Sequence, residues 1–334
     1  MNTPRPDNKP RTAYTTLAAF ACASALLLPA QSATAQAFPS KPVRLVVPFA
    51  AGGSNDVVAR SMAGPLGRAL GQTIVVENRP GANTIIGTEA VAKAPPDGHT
   101  VLIVGFTFMS NAALRSKLPY DPSKDFIPVA ALGFQPYVLS VHPSLPVKSV
   151  KELIALAKKR PGGLVYAMTG YGTGQHLSGE LLKLKANIDM KPVAFQGGAP
   201  ATIAVLGGHA SILFSTAPPI VQHISSGKLR PLAVTSRTRT NLLKDTPTMI
   251  ESGLADFDMT GGLGVFAPGA TPKDAVARLS SEIVRVLQLP EVRDGLVRDG
   301  FIVAPLGAAE YDKYIRARMA DIKKVAQAAR IKVD

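Results

Sequence analysis

Two short apolar segments of this chain each run into a pair of glycines and then into the start of a helix. The first reads Val43-Arg44-Leu45-Val46-Val47-Pro48-Phe49-Ala50-Ala51-Gly52-Gly53-Ser54-Asn55-Asp56, the second Pro192-Val193-Ala194-Phe195-Gln196-Gly197-Gly198-Ala199-Pro200-Ala201. Glycine lets a backbone turn sharply and approach a ligand closely. The helix start beyond it presents unpaired N–H groups and the positive end of the helix dipole. Each turn is therefore a candidate anion site. In an open α/β sheet it also stands where ligands bind, beyond the carboxyl end of a strand. If the two turns belong to separate lobes, an organic acid between them is gripped from both sides. No nucleophile, acid–base pair or metal cluster accompanies them, which points to capture rather than conversion.

The remaining sequence alternates in the same sense. Strands are expected at 43–47, 73–77, 100–104 and 127–131, with helices near 56–70 and 85–93. Near-continuous apolar strands of this kind suit a parallel sheet covered on both faces. Pro65 interrupts the first helical pattern, a place for a kink. Tyr137-Val138-Leu139-Ser140-Val141 leads to a helix opened by Ser149-Val150-Lys151-Glu152, which fits a capping box. A second set follows, with strands 164–168, 192–195, 211–214 and 232–235 and helices 175–184, 200–206 and 219–226. After an extended segment at 256–266, Thr271 and Pro272 suit the N-cap and first position of a helix. Val276, Leu279, Ile283, Val286 and Leu287 mark its buried stripe, and a last helix covers 308–329. About 300 residues beyond the leader exceed the usual size of one core. The order predicts an α/β chain of two lobes, 38–139 with 262–334 and an inserted 140–261, crossed at 137–141 and 256–266.

The N-terminus bounds the compartment. Arg5, Lys9 and Arg11 precede an apolar stretch at 17–30 that is too short to span a bilayer. Ser32-Ala33-Thr34-Ala35-Gln36-Ala37 follows, as in a cleavable secretory signal at 1–37. Cleavage fits after Ala35 or after Ala37, and the product is expected to be exported and periplasmic. Cys22 is the only cysteine and lies inside that apolar core, whereas a lipid-anchor cysteine belongs at its end. The exported chain is thus expected to have no thiol, disulfide or cysteine metal ligand. Losing Arg5, Lys9, Arg11 and Asp7 takes the net charge from +14 to +12. Lys183, Lys185, Arg237, Arg239, Arg316 and Arg318 form no stripe, which argues against nucleic acid. The charge suits either a general field that favours anionic solutes or solubility alone.

The residues also carry a resemblance. Phe38-Pro39-Ser40-Lys41-Pro42-Val43, the segment 48–60, Val76-Glu77-Asn78-Arg79-Pro80-Gly81-Ala82, Pro96-Asp97-Gly98-His99-Thr100, Leu118-Pro119-Tyr120-Asp121, Lys124-Asp125-Phe126, Gly227-Lys228-Leu229-Arg230, and Pro247-Thr248 with Glu251 and Gly253 occur in this order. Together they resemble the Bug-type extracytoplasmic solute receptors of tripartite tricarboxylate transporters, over essentially the whole chain beyond the leader. The resemblance implies a two-lobed type II periplasmic-binding-protein (Venus-flytrap) fold that closes on a small carboxylate. It implies a ligand held by the two Gly-Gly loops through backbone groups and ordered water, with Phe49, Gly52, Gly53, Ser54, Asp56, Phe195, Gln196, Gly197 and Gly198 as site residues. It adds Thr107, Phe108 and Asn111 from the loop after the third strand, and Thr169, Gly170, Thr173, Gly174 and His176 from the segment 169–176, whose hydroxyls, amides and backbone donors suit a second carboxylate. Ser215 stands where many members place an aspartate able to pair with a ligand ammonium, which disfavours an amino acid. Gly262 replaces a common tryptophan, and Asn83-Thr84 replaces a Gly-Gly.

Several of these residues have a second reading. Asp56 can cap its helix or pair with Arg60, Phe108 and Phe195 can be core or lip packing, and His176 can simply begin a helix. The histidines are scattered, without His-Glu-x-x-His, so no metal is expected. No Gly-x-Ser-x-Gly elbow marks a hydrolase, and neither Gly-rich loop has the spacing of a nucleotide site. No cofactor is expected. The reading is a monomeric, non-enzymatic receptor that captures a small organic carboxylate, an aromatic or aliphatic dicarboxylate, for membrane transporter subunits. The alternatives are a secreted α/β enzyme acting on an organic acid and a ligand-sensing partner of a signalling receptor.

Overall fold

The computed structural model describes residues 1–3, 38–329 and 331. The chain divides into two units, Met1–Ala37 and Phe38–Asp334. All regular elements among the described residues lie in the second, and the expected secretory signal falls outside the described residues.

Strands β1 (Val43–Val47), β2 (Ile74–Asn78), β3 (Thr100–Gly105), β4 (Phe126–Pro136), β10 (Thr260–Pro268) and β11 (Ile302–Leu306) form one sheet in the order β11-β4-β10-β3-β1-β2. β1 lies parallel to β2 and β3, as the apolar runs predict, but β10 is antiparallel to both β3 and β4. The sheet is therefore mixed, because a strand from late in the chain is wedged into its centre. A second sheet has the order β7-β6-β8-β5-β9. Its strands are β5 (Val138–Val141), β6 (Val165–Met168), β7 (Lys191–Ala194), β8 (Ile212–Ser215) and β9 (Arg230–Val234).

Helices α1 (Ser54–Leu70), α2 (Ile85–Ala92), α3 (Phe106–Leu114), α8 (Lys273–Leu287), α9 (Pro290–Arg298) and α10 (Ala308–Ala328) accompany the first sheet. The second sheet comes with α4 (Val150–Lys159), α5 (Gly174–Ala186), α6 (Gly198–Leu206) and α7 (Val221–Ser225). α1 continues through Pro65, contrary to the expected interruption. Met62 and Leu66 on either side of that proline sit in one apolar core with Leu279 and Ile283 of α8, and burial of this stripe outweighs one lost N–H. The Ser149 cap of α4 is as expected, while the return bond of the capping box reaches one residue further back. Glu152 N–H donates to Ser149 Oγ at 3.2 Å, and the Glu152 carboxylate accepts from Lys148 N–H at 2.7 Å. α8 begins one residue later than expected, since Pro272 is extended (ψ 139°) and itself occupies the N-cap. α3, α9 and β11 had no counterpart among the expected elements.

The chain passes between sheets at Tyr137, which joins β4 to β5, and at Met259, just before β10. Fully buried Thr235 stitches these crossings together. Its hydroxyl accepts from Tyr137 N–H at 2.9 Å and donates to the Met259 carbonyl at 2.6 Å. Its own N–H donates to the Tyr137 carbonyl at 2.9 Å.

Candidate functional site

The loops after β1, β3, β6 and β7 open α1, α3, α5 and α6, and all four helix starts contribute residues to one cleft. Its inner chamber, of about 80 Å³, is lined by Gly53, Ser54 and Asn55 at the start of α1 and by Gly197, Gly198 and Ala199 at the start of α6. Phe106 and Thr107 of α3, Thr169, Gln175, Thr216, and Gln135 and Tyr137 at the first crossing complete its walls with Gly261 and Gly262. No charged side chain is among these residues. An outer chamber of about 350 Å³ adjoins it and shares Phe49, Ala50, Thr169 and Gly197 as walls.

Local chemistry explains how each loop is held. Gly53 is the N-cap of α1 with no side-chain cap, so the first N–H groups of the helix stay without a capping partner. Gly52 precedes it at φ +79°, and its N–H donates to Asp56 Oδ2 at 2.9 Å. Arg60 Nε grips both Asp56 oxygens at 3.0 Å. Burial alone pushes the Asp56 carboxyl up, but the bonds from Arg60, Gly52 and Asn78 outweigh it and hold it below its ordinary range. Arg60 also donates to Asn78 Oδ1 at 3.0 Å, and Asn78 Nδ2 holds the Phe49 carbonyl at 3.1 Å. The segments 48–60 and 76–82 are thus two sides of one clamp on the first glycine loop. In the second loop, Gly197 caps α6 at φ +128° without a side-chain cap. Pro200 has no N–H, so Gly198 and Ala199 supply the donors there.

Two buried side chains point to what the inner chamber accepts. Gln135 is only 6% exposed, and its Nε2 has no hydrogen-bond partner among the described residues. An unmet buried donor costs about 1–3 kcal/mol, which a ligand acceptor would recover. Burial raises the Tyr137 phenol far above its usual value, so it remains neutral. Its hydroxyl lies so close to Gly174 that a Cβ there would overlap it.

Residues 58–331 match the family described as tripartite tricarboxylate transporter family receptor. The chain belongs to this family. This receptor is 35% identical over 269 residues to Protein BugT of Bordetella pertussis, covering 80% of this chain and 82% of BugT. Among solved structures it is similar to the periplasmic binding protein BugD, with TM-score 0.83 and 32% identity over 88% of this chain and 99% of that one. It is similar also to an R. palustris protein with adipate, with TM-score 0.85 and 33% identity over 88% and 99% of the two chains. MatC from Rhodopseudomonas palustris with bound malate gives TM-score 0.81 and 32% identity over 86% and 99%. The receptor therefore has the two-lobed α/β type II periplasmic-binding-protein fold of an extracytoplasmic solute receptor. No helix among the described residues is long and apolar enough to cross a membrane.

Of the residues singled out in the sequence, Phe49, Gly53, Ser54, Thr107, Thr169, Gly197 and Gly198 line the inner chamber, and Gly170, Phe195 and Gln196 line the outer one. Others support the cleft from behind. Gly52 and Asp56 shape the first loop. Thr173 caps α5 and binds the Gly170 carbonyl at 2.7 Å. Gly174 makes room for Tyr137, and His176 Nδ1 accepts from Gly172 N–H at 3.1 Å. Asn111 donates to the Asn83 carbonyl at 2.9 Å. One expectation is corrected. Phe108 is core, packed among Tyr120, Phe126 and Phe266 at ring separations of 6.4, 5.2 and 4.6 Å, because α3 turns it inward. Ser215 is buried in β8, with its Oγ unpartnered among the described residues and 3.7 Å from where a Cβ on Gly198 would lie, and its neighbour Thr216 lines the inner chamber. No acidic residue lines the inner chamber, so a ligand ammonium would find no carboxylate there.

Sequence reasoning missed Gln135, and it noted Tyr137 only as the start of a crossing and Gly262 only as the replacement of a tryptophan, not as chamber residues. A glutamine within the otherwise apolar run of β4 was the available signal. Gly262 admits Tyr314, whose hydroxyl would lie 2.8 Å from a Cβ at that position.

Proposed function

We propose that this receptor is exported, closes on a small dicarboxylate and delivers it unchanged to membrane subunits of a tripartite tricarboxylate transporter. The observation that carries the reading is the inner chamber: two uncapped, glycine-led helix starts, no charged lining, and the unpartnered amide of Gln135. Backbone donors at helix starts favour an anion, and a ligand ammonium would find no carboxylate to offset its desolvation. Phe49, Tyr171 and Phe195 line the outer chamber and favour an apolar body. The adipate- and malate-bound relatives support a dicarboxylate. In this reading the lobes are 38–139 with 262–334, and 140–261, hinged at Tyr137 and Met259.

A thermal-shift screen of mono-, di- and tricarboxylates tests it. A ligand at a hundred times its Kd stabilises the bound form by about 2.7 kcal/mol. Small-angle scattering with a saturating hit is expected to show a more compact particle, and the acid is expected back unaltered. Chemical conversion of the acid would favour the enzyme reading, and selective binding of amino acids would refute the proposed ligand class.

A further inference from the structure

Arg115 is the sole charged side chain among the residues lining either chamber. It ends α3 at the wall of the outer chamber, half-buried. Its Nε donates to Asn111 Oδ1 at 3.1 Å, and no carboxylate pairs with it among the described residues. Asn111 is 1% exposed and is itself fixed by bonds to the Asn83 carbonyl and to Thr84 Oγ1 at 2.9 and 3.3 Å. The guanidinium is thus anchored through one nitrogen, while a planar fork has further donors suited to a carboxylate. The passage from inner to outer chamber is bounded by Phe49, Ala50, Thr169 and Gly197, none of them charged.

We infer that Arg115 is a specificity-determining residue that binds the second, distal carboxylate of an elongated diacid whose first carboxylate occupies the inner chamber. The inference rests on the carboxylate reading above and adds to it a two-headed ligand running through both chambers. The inner head is bound by backbone and amide donors, the chain by apolar walls, and the far head by the only fixed cation of the cleft. A monoacid of the same length places its carboxylate in the inner chamber and its methyl end in the outer one, and leaves Arg115 to water.

Isothermal calorimetry on the wild type, Arg115→Gln and Arg115→Lys tests the inference. The probes are straight-chain diacids from succinate to azelate, each beside the monoacid of equal carbon number. The glutamine amide can still donate to Asn111, so the support of the Asn83 loop is retained, and circular dichroism melts check folding. The wild type is expected to favour the best diacid over its monoacid by at least about tenfold, close to 1.4 kcal/mol. R115Q is expected to abolish that preference while leaving monoacid affinity within about twofold, and R115K to retain part of it. A diacid preference that survives in R115Q, or equal loss for both acids, overturns the role of Arg115 while the carboxylate reading stands. If no acid binds the wild type, the carboxylate reading fails and this inference with it.

Discussion

At the scale of single residues, the site keeps a donor unmet that the fold could have satisfied or omitted. Replacing Gln135 by methionine, of similar length, removes the orphan amide. The ligand-free protein is then expected to melt at the same temperature or higher, while carboxylate affinity falls at least about tenfold. Parallel melts and calorimetry check the two halves of that statement. His176 offers a second test. Burial lowers its pKa below the ordinary 6.5, and its Nδ1 serves as acceptor for Gly172. As pH falls through about 6.5 the unfolded chain takes up a proton that the folded chain resists. Stability is therefore expected to decline on the acid side and to be fully present above that pH. Urea unfolding at about pH 7.5 and about pH 5 should show this loss, and His176→Gln should flatten it.

Among elements, the glycine-led starts of α1 and α6 make different predictions despite their similar sequence. Gly53 has φ −79°, and a Cβ there would lie 3.5 Å from the Ala50 carbonyl, an ordinary contact. Gly53→Val is expected to fold with little loss yet to weaken carboxylate binding by at least about 1.4 kcal/mol, a factor of ten. At Gly198 a Cβ would lie 3.1 Å from Pro219, so Gly198→Val should cost both affinity and some stability. Urea melts and calorimetry on both variants separate these effects. These loops were readable because the chemistry of a helix start is local, as was the Ser149 cap. Phe108 was misread because the direction of a side chain depends on packing. For Phe108 that packing includes Phe266, on a strand far along the sequence. Tyr137 and Gln135 face the chamber beside Gly261 and Gly262 of β10 for the same reason. Pairing between distant strands leaves no mark at either residue alone. The short β11 and α9 lacked a long periodic pattern, although Pro290 at the first position of α9 was a usable sign.

For the molecule as a whole, two halves meet across the cleft through few polar contacts among the described residues. Ser54 Oγ bonds Thr216 Oγ1, Ser110 Oγ donates to the Gly172 carbonyl, and Asn83 Nδ2 donates to the Tyr171 carbonyl at 2.8 Å. At the crossings, Thr235→Val would leave Tyr137 N–H and the Met259 carbonyl buried without their partner. It is expected to destabilise the whole fold by about 2 kcal/mol or more, measurable as a lower urea midpoint with unchanged slope.

Ala82, Asn83 and Thr84, none of them glycine, stand consecutively in the left-handed region at φ +44°, +52° and +76°. Such a conformation costs about 1–2 kcal/mol per residue, and here it coincides with Asn83, one of the side chains that span the cleft. In the proposed receptor, release of a solute would break this contact along with those of Ser54 and Ser110, so the loop is expected to bear on how long a captured solute stays more than on how quickly it arrives. With Asn83→Gly, which relaxes the backbone and removes the amide together, stopped-flow displacement should record a shorter residence time at a nearly unaltered association rate.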